Sequence, residues 1–390
     1  MGKVILAYSG GLDTSCCLGW LKERGFDVVC FSGNLGSEFS PAALKKKALA
    51  SGASKIYVKD LQEEFADEYI LPSLKAGALY QGKYLLSTAL GRPLIAKYLV
   101  EVAKKEKASC IAHGCSAKGN DQVRFEIVAK ALNPKLKTIA PLREWKLSSR
   151  ESEIAYAKKN KIPISSTKKK IYSIDKNIWG VSIEGGALED LNNEPEDDAY
   201  IMTKPLDKTP NKAQYVEIEF DKGKPVKLNG KPVRLVNLIE KLNKIGSNHC
   251  IGRTDLIEDR TVGIKSREVY EAPAAWILYI AHRELESLVL DKETLNFKEI
   301  VAYKYAQLVY QGLWFSTLKD SLDGLVEASQ KKVSGKITLK LYKGNIIIAK
   351  RSSKLSIYKK ELATYGEKDE FNRDWAQGFI NIWGMPFIKH

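Results

Sequence analysis

The chain has 390 residues, 44% of them hydrophobic and 28% charged, with a formal net charge of +15. Such a length supplies two cores, and such a composition excludes disordered, fibrous and membrane-spanning classes, since no apolar run is long enough for a membrane helix. The start of the chain runs directly into an apolar segment, so no leader is expected, and six cysteines without a CxxC pair or a ligand-spaced histidine point to a reduced, cytoplasmic protein with no zinc site.

That first segment, Val4-Ile5-Leu6-Ala7-Tyr8, predicts a buried strand over 3–9. It runs into Ser9-Gly10-Gly11-Leu12-Asp13-Thr14-Ser15 and then a predicted helix over 14–22. A glycine pair lets backbone N–H groups close on an anion, hydroxyls add donors, and the helix start adds its positive end. No Gly-Lys-Ser/Thr closes the loop, so it is not a Walker loop. It has the form of the SGGxDS loop of enzymes that cleave ATP between its α- and β-phosphates. Further strands are predicted at 27–32, 55–59, 109–113 and 138–140, alternating with helices at 41–51, 61–77, 92–106, 121–132 and 149–160. This alternation predicts an α/β domain on a parallel sheet, with ligands beyond the carboxyl ends of its strands, at the loops 9–15, 33–39 and 114–120.

The run from Ala112 to Glu126 is the second informative stretch. Gly114 and Gly119 leave room for a ligand, Asn120 and Asp121 are expected to cap the helix at 121–132, and Arg124 follows one turn later on their face. An amide, a carboxylate and a guanidinium together suit an amino-acid zwitterion: Arg for the carboxylate, Asp and Asn for the ammonium. His113 ends an apolar strand and is expected to be a satisfied structural histidine. Lysine clusters at 45–47, 158–161 and 168–170 lack interleaved aromatics, which predicts a basic surface drawing small polyanions and no nucleic-acid groove.

Lys161-Ile162-Pro163 and the polar stretch at 165–170 mark a domain boundary. Beyond it, hairpins are predicted at 215–220 with 225–228, and at 335–342 with 346–351, and a helical zone covers 273–330. The segment 370–384 is apolar on one helical face and is expected to dock on a neighbour.

These strings together resemble the argininosuccinate synthase family over essentially the full length. The resemblance is carried by Ala7–Ser15, Gly82–Leu86, Arg92–Lys97, Ala112–Gly114, Lys118–Glu126, Tyr172–Asp175, Ile183–Gly186, Val262–Arg267, Ala306–Trp314 and Leu339–Asn345. It implies a PP-loop nucleotide-binding domain (1–165), an α+β synthetase domain (166–365) and a C-terminal oligomerisation helix (366–390) in a homotetramer. It further implies condensation of citrulline and aspartate to argininosuccinate through a citrullyl-adenylate, with Mg-ATP as the nucleotide substrate and AMP and pyrophosphate released. By the same resemblance, ATP is held by Ala7, Tyr8, Ser9, Gly10, Gly11, Leu12, Asp13, Thr14, Ser15, Gly33 and Gly114. Citrulline falls to Tyr84, Thr88, Asn120, Arg124, Ser173, Ser182, Glu258 and Tyr270, and aspartate to Ser116, Asn120 and Asp121. Asp13, Ser15 and Asp121 are the expected catalytic residues.

The chain departs from the family pattern at 33–37, at Ala89 and Ser116, and at 268–276, where Glu268, Ala274 and Ala275 stand for glycines. The last change is expected to stiffen a loop presenting Tyr270. A tRNA-modifying adenylating enzyme with the same loop, or a divergent relative acting on another ureido substrate or without turnover, are the alternatives.

Overall fold

A computed structural model describes residues 2–37, 40–145, 149–163 and 172–388. The expected domain boundary at 165/166 and the lysines at 168–170 lie outside the described residues. Five parallel strands, β1 (Lys3–Ala7), β2 (Asp27–Asn34), β3 (Lys55–Asp60), β4 (Cys110–Ala112) and β5 (Lys137–Ile139), form a sheet in the order β3-β2-β1-β4-β5. Alternation along β1 explains the layers. Val4 and Leu6 pack with Leu18, Leu21, Leu44 and Ala48 beneath α1 (Leu12–Glu23) and α2 (Pro41–Ala50). Ile5 faces the opposite cluster, with Phe65, Leu90, Leu94 and Val128. Both faces are buried at the centre of the sheet, which is why β1, β2 and β4 read as near-continuous apolar runs. The chain steps outward from β1 to β3 and then crosses to β4, so the crevice of this sheet opens between β1 and β4.

The expected helix over 61–77 is broken into α3 (Gln62–Phe65), a π-turn (Ala66–Ile70) and α4 (Leu71–Ala76). Pro72 has no N–H to give the carbonyl four residues back, and the wider turn ahead of it absorbs that loss. The next helix, α5 (Ser87–Lys105), begins five residues before the expected start at 92, with Pro93 inside it. Tyr84 is the cause. Its hydroxyl accepts the N–H groups of Thr88 (3.0 Å) and Ala89 (3.2 Å), capping the helix with a side chain from outside it. Helices α6 (Asp121–Leu132), α7 (Pro141–Glu144) and α8 (Arg150–Lys159) complete this half.

In the second half, β6 (Ser173–Asn177) and β7 (Gly180–Glu184) pair with the hairpin of β11 (Arg253–Asp259) and β12 (Lys265–Glu271) in the order β11-β12-β7-β6. A second antiparallel sheet, β10-β9-β8-β13-β14, is built from β8 (Gln214–Asp221), β9 (Lys224–Leu228), β10 (Lys231–Pro232), β13 (Gly335–Tyr342) and β14 (Asn345–Ser352). Its two-residue turns at Lys222-Gly223 and Lys343-Gly344 hold both central residues at positive φ, as tight hairpins require. Around these sheets lie α9 (Leu235–Asn248), α10 (Pro273–Val289), α11 (Lys292–Tyr310), α12 (Thr317–Gln330) and the short α13 (Lys360–Ala363). The terminal helix α14 (Asp374–Gly384) buries none of its residues within the chain. Among the described residues no helix is long and apolar enough to cross a membrane.

Candidate active site

A cavity of about 510 Å³ joins the carboxyl ends of β1, β2 and β4 to one face of the β11-β12-β7-β6 sheet. The register explains that face. Ser173 opposes Glu184, Asp175 opposes Ser182, Ser182 opposes Tyr270, and Glu258 opposes Ser266. Directly paired residues share a face, so Ser173, Asp175, Ser182, Glu184, Glu268, Tyr270 and Glu258 all stand on the cavity wall. Tyr270 is therefore fixed in a strand and not carried on a loop. Ala274 and Ala275 lie in the first turn of α10, where they are good helix formers.

The nucleotide end is the loop between β1 and α1. Gly10 takes φ +77°, and α1 begins without a side-chain cap, leaving its first-turn N–H groups for an anion. Ser9 Oγ accepts from the Gly11 N–H at 3.2 Å and hydrogen-bonds Thr14 Oγ1 at 3.1 Å. Lys47, reaching from α2, donates to the Gly10 carbonyl at 2.5 Å. Ala7, Tyr8, Ser9, Asp13 and Thr14 line the cavity, with Gly33 and Gly114 beside them. Gly10, Gly11 and Leu12 form the turn itself. Ser15 is fully buried under the loop and donates to the Gly11 carbonyl at 2.7 Å, so it shapes the loop from below. Asp13 hydrogen-bonds Glu153 on α8, and burial, then the Asp13 charge, push the Glu153 carboxyl up to about 8.

The other end is a cage of aromatic rings around a carboxylate. Tyr84 stacks on Tyr270 with centroids 4.1 Å apart, and Tyr80 stacks on Tyr310 at 3.7 Å. Glu258, 3% exposed, accepts the hydroxyls of Tyr270 and Tyr310 and the Asn120 amide at 3.3 Å. Among the described residues Glu258 forms no ion pair. The arginines nearby are already matched: Arg124 donates to Asp121 at 2.8 Å and to the Tyr310 carbonyl at 2.9 Å. Arg92 bridges Asp121 at 2.7 Å and Asp175. Burial raises the Asp121 carboxyl, but the two guanidiniums outweigh it and hold it down to about 2. Burial pushes the Tyr84 phenol up to about 12, so it stays a neutral donor and acceptor.

The expected cap at Asn120 is not made. Its Oδ1 accepts instead from the Thr261 N–H at 2.8 Å, and its Nδ2 donates to Tyr310 Oη at 2.7 Å. Tertiary partners of fixed geometry outcompete a local cap here. His113 is satisfied as expected, accepting from the Cys115 N–H at 3.3 Å and pairing with Glu126. Thr88 and Ser116 line the cavity, whereas Ala89 is fully buried in α5. Residues not anticipated from sequence are Arg92, Asp175, Glu184, Arg260, Glu268 and Tyr310. Arg92, Asp175, Glu184 and Tyr310 fall within strings that carried the family resemblance, so a signal for them existed; Arg260 had none. Among the described residues no group of three or more His, Cys, Asp or Glu side chains is arranged to hold a metal ion.

A parallel sheet with an uncapped glycine loop at its crevice, opposed by a wall built for charged small molecules, defines an ATP-handling α/β enzyme. The chain belongs to the argininosuccinate synthase family. The family described as "Arginosuccinate synthase N-terminal HUP domain" matches residues 3–163, and "Arginosuccinate synthase C-terminal domain" matches 172–389. An argininosuccinate synthase of Caldanaerobacter subterraneus subsp. tengcongensis is 57% identical over 384 residues, covering 98% of this chain and 94% of that one. One of Carboxydothermus hydrogenoformans is 53% identical over 385 residues, covering 98% and 96%. Among solved structures, a 4-thiouridine synthetase–RNA complex with bound ATP matches with a TM-score of 0.29 and 16% identity over 41% of this chain and 40% of that one. The family matches favour the ligase reading of the sequence over the tRNA-modifying alternative.

Proposed function

We propose that the protein joins citrulline to aspartate in arginine biosynthesis, activating the ureido oxygen with ATP. The oxygen attacks the α-phosphate, the bond to the β-phosphate breaks, and citrullyl-AMP and pyrophosphate result. The aspartate amine then displaces AMP to give argininosuccinate. The observation that carries this reading is one cavity shared by the glycine loop and the Glu258–Asn120–Arg124–Asp121 wall.

In this reading the loop amides and the hydroxyls of Ser9 and Thr14 take the charge that pyrophosphate gains as it leaves. Mg²⁺ arrives with ATP. Asp13 and the loop hydroxyls are hard oxygen donors that would suit it, and there it would offset the charge on the phosphates. Glu258 and the tyrosine hydroxyls, with Thr88, Ser173 and Ser182, hold citrulline. Ser116, Asn120 and Asp121 hold aspartate, and Arg124 is the fork for a substrate carboxylate. Ser15 acts through the loop it braces. Positioning two amino acids against one phosphate carries much of the acceleration.

We further assign the chain to a cytoplasmic homotetramer. The six cysteines are free, as suits a reducing compartment, and Trp375, Phe379, Ile380, Ile382 and Trp383 of α14 are exposed in the single chain, as suits a helix that docks on a second copy. The reaction is tested with Mg-ATP, citrulline and aspartate together. AMP and pyrophosphate are expected, with turnover requiring both amino acids; ATP cleavage indifferent to citrulline would refute the assignment.

A further inference from the structure

Arg260 directly follows β11 and belongs to none of the expected substrate contacts, yet it lines the cavity and is hydrogen-bonded through all three of its guanidinium nitrogens. Its Nε donates to Ser266 Oγ at 2.7 Å, and its Nη2 donates to Glu268 at 2.5 Å and to Glu184. The remaining arm, Nη1, crosses the cavity and donates to the Lys118 carbonyl at 3.0 Å. Lys118 lies in the turn that follows β4 and carries Ser116. Two other carbonyls of that turn are held from their own side, since Gln122 Nε2 donates to Ala117 at 2.5 Å and to Gly119 at 3.3 Å. Asn120 is fixed separately, by the Thr261 N–H, Tyr310 and Glu258. Among the described residues, Arg260 is therefore the side chain through which the far wall grips the 116–119 turn.

We propose that Arg260, held in orientation by Glu184, Glu268 and Ser266, is a positioning residue for the second half-reaction: it sets the 116–119 turn to receive the amino acid whose amine attacks. It leaves adenylation alone, because the nucleotide loop and the Tyr84–Tyr270–Glu258 cage are supported without it. The inference rests on the ligase reading above and deepens it by dividing the site into two separately adjustable halves.

The two half-reactions can be read apart. Citrulline-dependent exchange of labelled pyrophosphate into ATP needs no aspartate, whereas argininosuccinate formation does. With Arg260→Gln in the full-length enzyme, the KM for aspartate is expected to rise about tenfold, the size of one lost charge-assisted bond, with exchange within about twofold of the unmodified enzyme. Arg260→Lys, which keeps the charge without the fork, should recover part of the loss. Glu268→Gln keeps an amide oxygen to accept from Arg260 in place of the carboxyl, so it should raise the aspartate KM less, again sparing exchange; it carries the test if Arg260→Gln does not fold. Exchange and ligation falling together, or an unchanged aspartate KM, would overturn the inference. Absence of citrulline-dependent exchange in the unmodified enzyme would overturn the ligase reading, and this inference with it.

Discussion

Asp121 sits between two guanidiniums, and that geometry decides what its neighbours can be asked to do. Arg124 is spent on Asp121 and the Tyr310 carbonyl at two positions of its fork, so a substrate carboxylate meets a donor already locked in place. Arg124→Leu should weaken citrulline by ~1.5–3 kcal/mol while leaving the ATP constant nearly unchanged; isothermal titration with each ligand checks this, and equal weakening of both would contradict the role. Asp13 presents the opposite case. Its charge burdens the buried Glu153 carboxyl, so Asp13→Ala should abolish pyrophosphate release without lowering the thermal midpoint. A collapse of folding in that variant would assign Asp13 to structure. At this scale the sequence announced residue types well and their partners poorly. Asn120 was legible as a polar residue at a helix start, but its bonds run to Thr261 and Tyr310, more than a hundred positions away.

The elements divide by how their burial writes itself into the chain. The inner strands β1, β2 and β4 of the parallel sheet are covered on both sides and were readable from their apolar runs. The β11-β12-β7-β6 sheet was not, because one of its faces lines the cavity. Ser-Ile-Asp-Lys-Asn and Lys-Ser-Arg-Glu-Val-Tyr-Glu look like loops until Val269 of β12 is seen to pack with Val181 and Ile183 of β7 and with Leu188 on the far side. Function itself obscured the strand pattern. Helix α9 went unanticipated, although Leu235, Leu238, Ile239 and Leu242 carry the helical spacing openly. For α5 the decisive group lies outside the helix, and local rules pointed to Pro93. Tyr84→Phe should remove that cap and cost about 1 kcal/mol of stability, read from the denaturant midpoint. A midpoint equal to the parent would show that the cap contributes nothing.

For the molecule as a whole, the shifted carboxyls set a pH range. Glu268 is raised from 4.5 to about 8, by burial first and then by Glu184 and Glu258, against the pull of Arg260. Glu153 is raised to a similar value. Folding favours the protonated form of both, so their contribution is complete below 4.5 and is lost as pH climbs toward 8. Asp121 has the reverse sign: its contribution is present above 3.8 and disappears as pH falls toward 2. Calorimetry across pH should show stability declining on both sides, and Glu268→Gln should flatten the alkaline side alone; an unaltered alkaline slope would rule out Glu268 as its source. Removal of residues 366–390 should leave a folded chain of lower mass in light scattering, since α14 buries nothing within its own subunit.

Glu258 has a last consequence. An anion walled by aromatic rings and answered only by neutral donors is a vacancy for positive charge. A compound that offers the ureido group but no amino group would leave that debt unsettled and be turned away at the door. In the ligase reading proposed above, selection between look-alike metabolites would then fall on arrival, before any nucleotide is consumed.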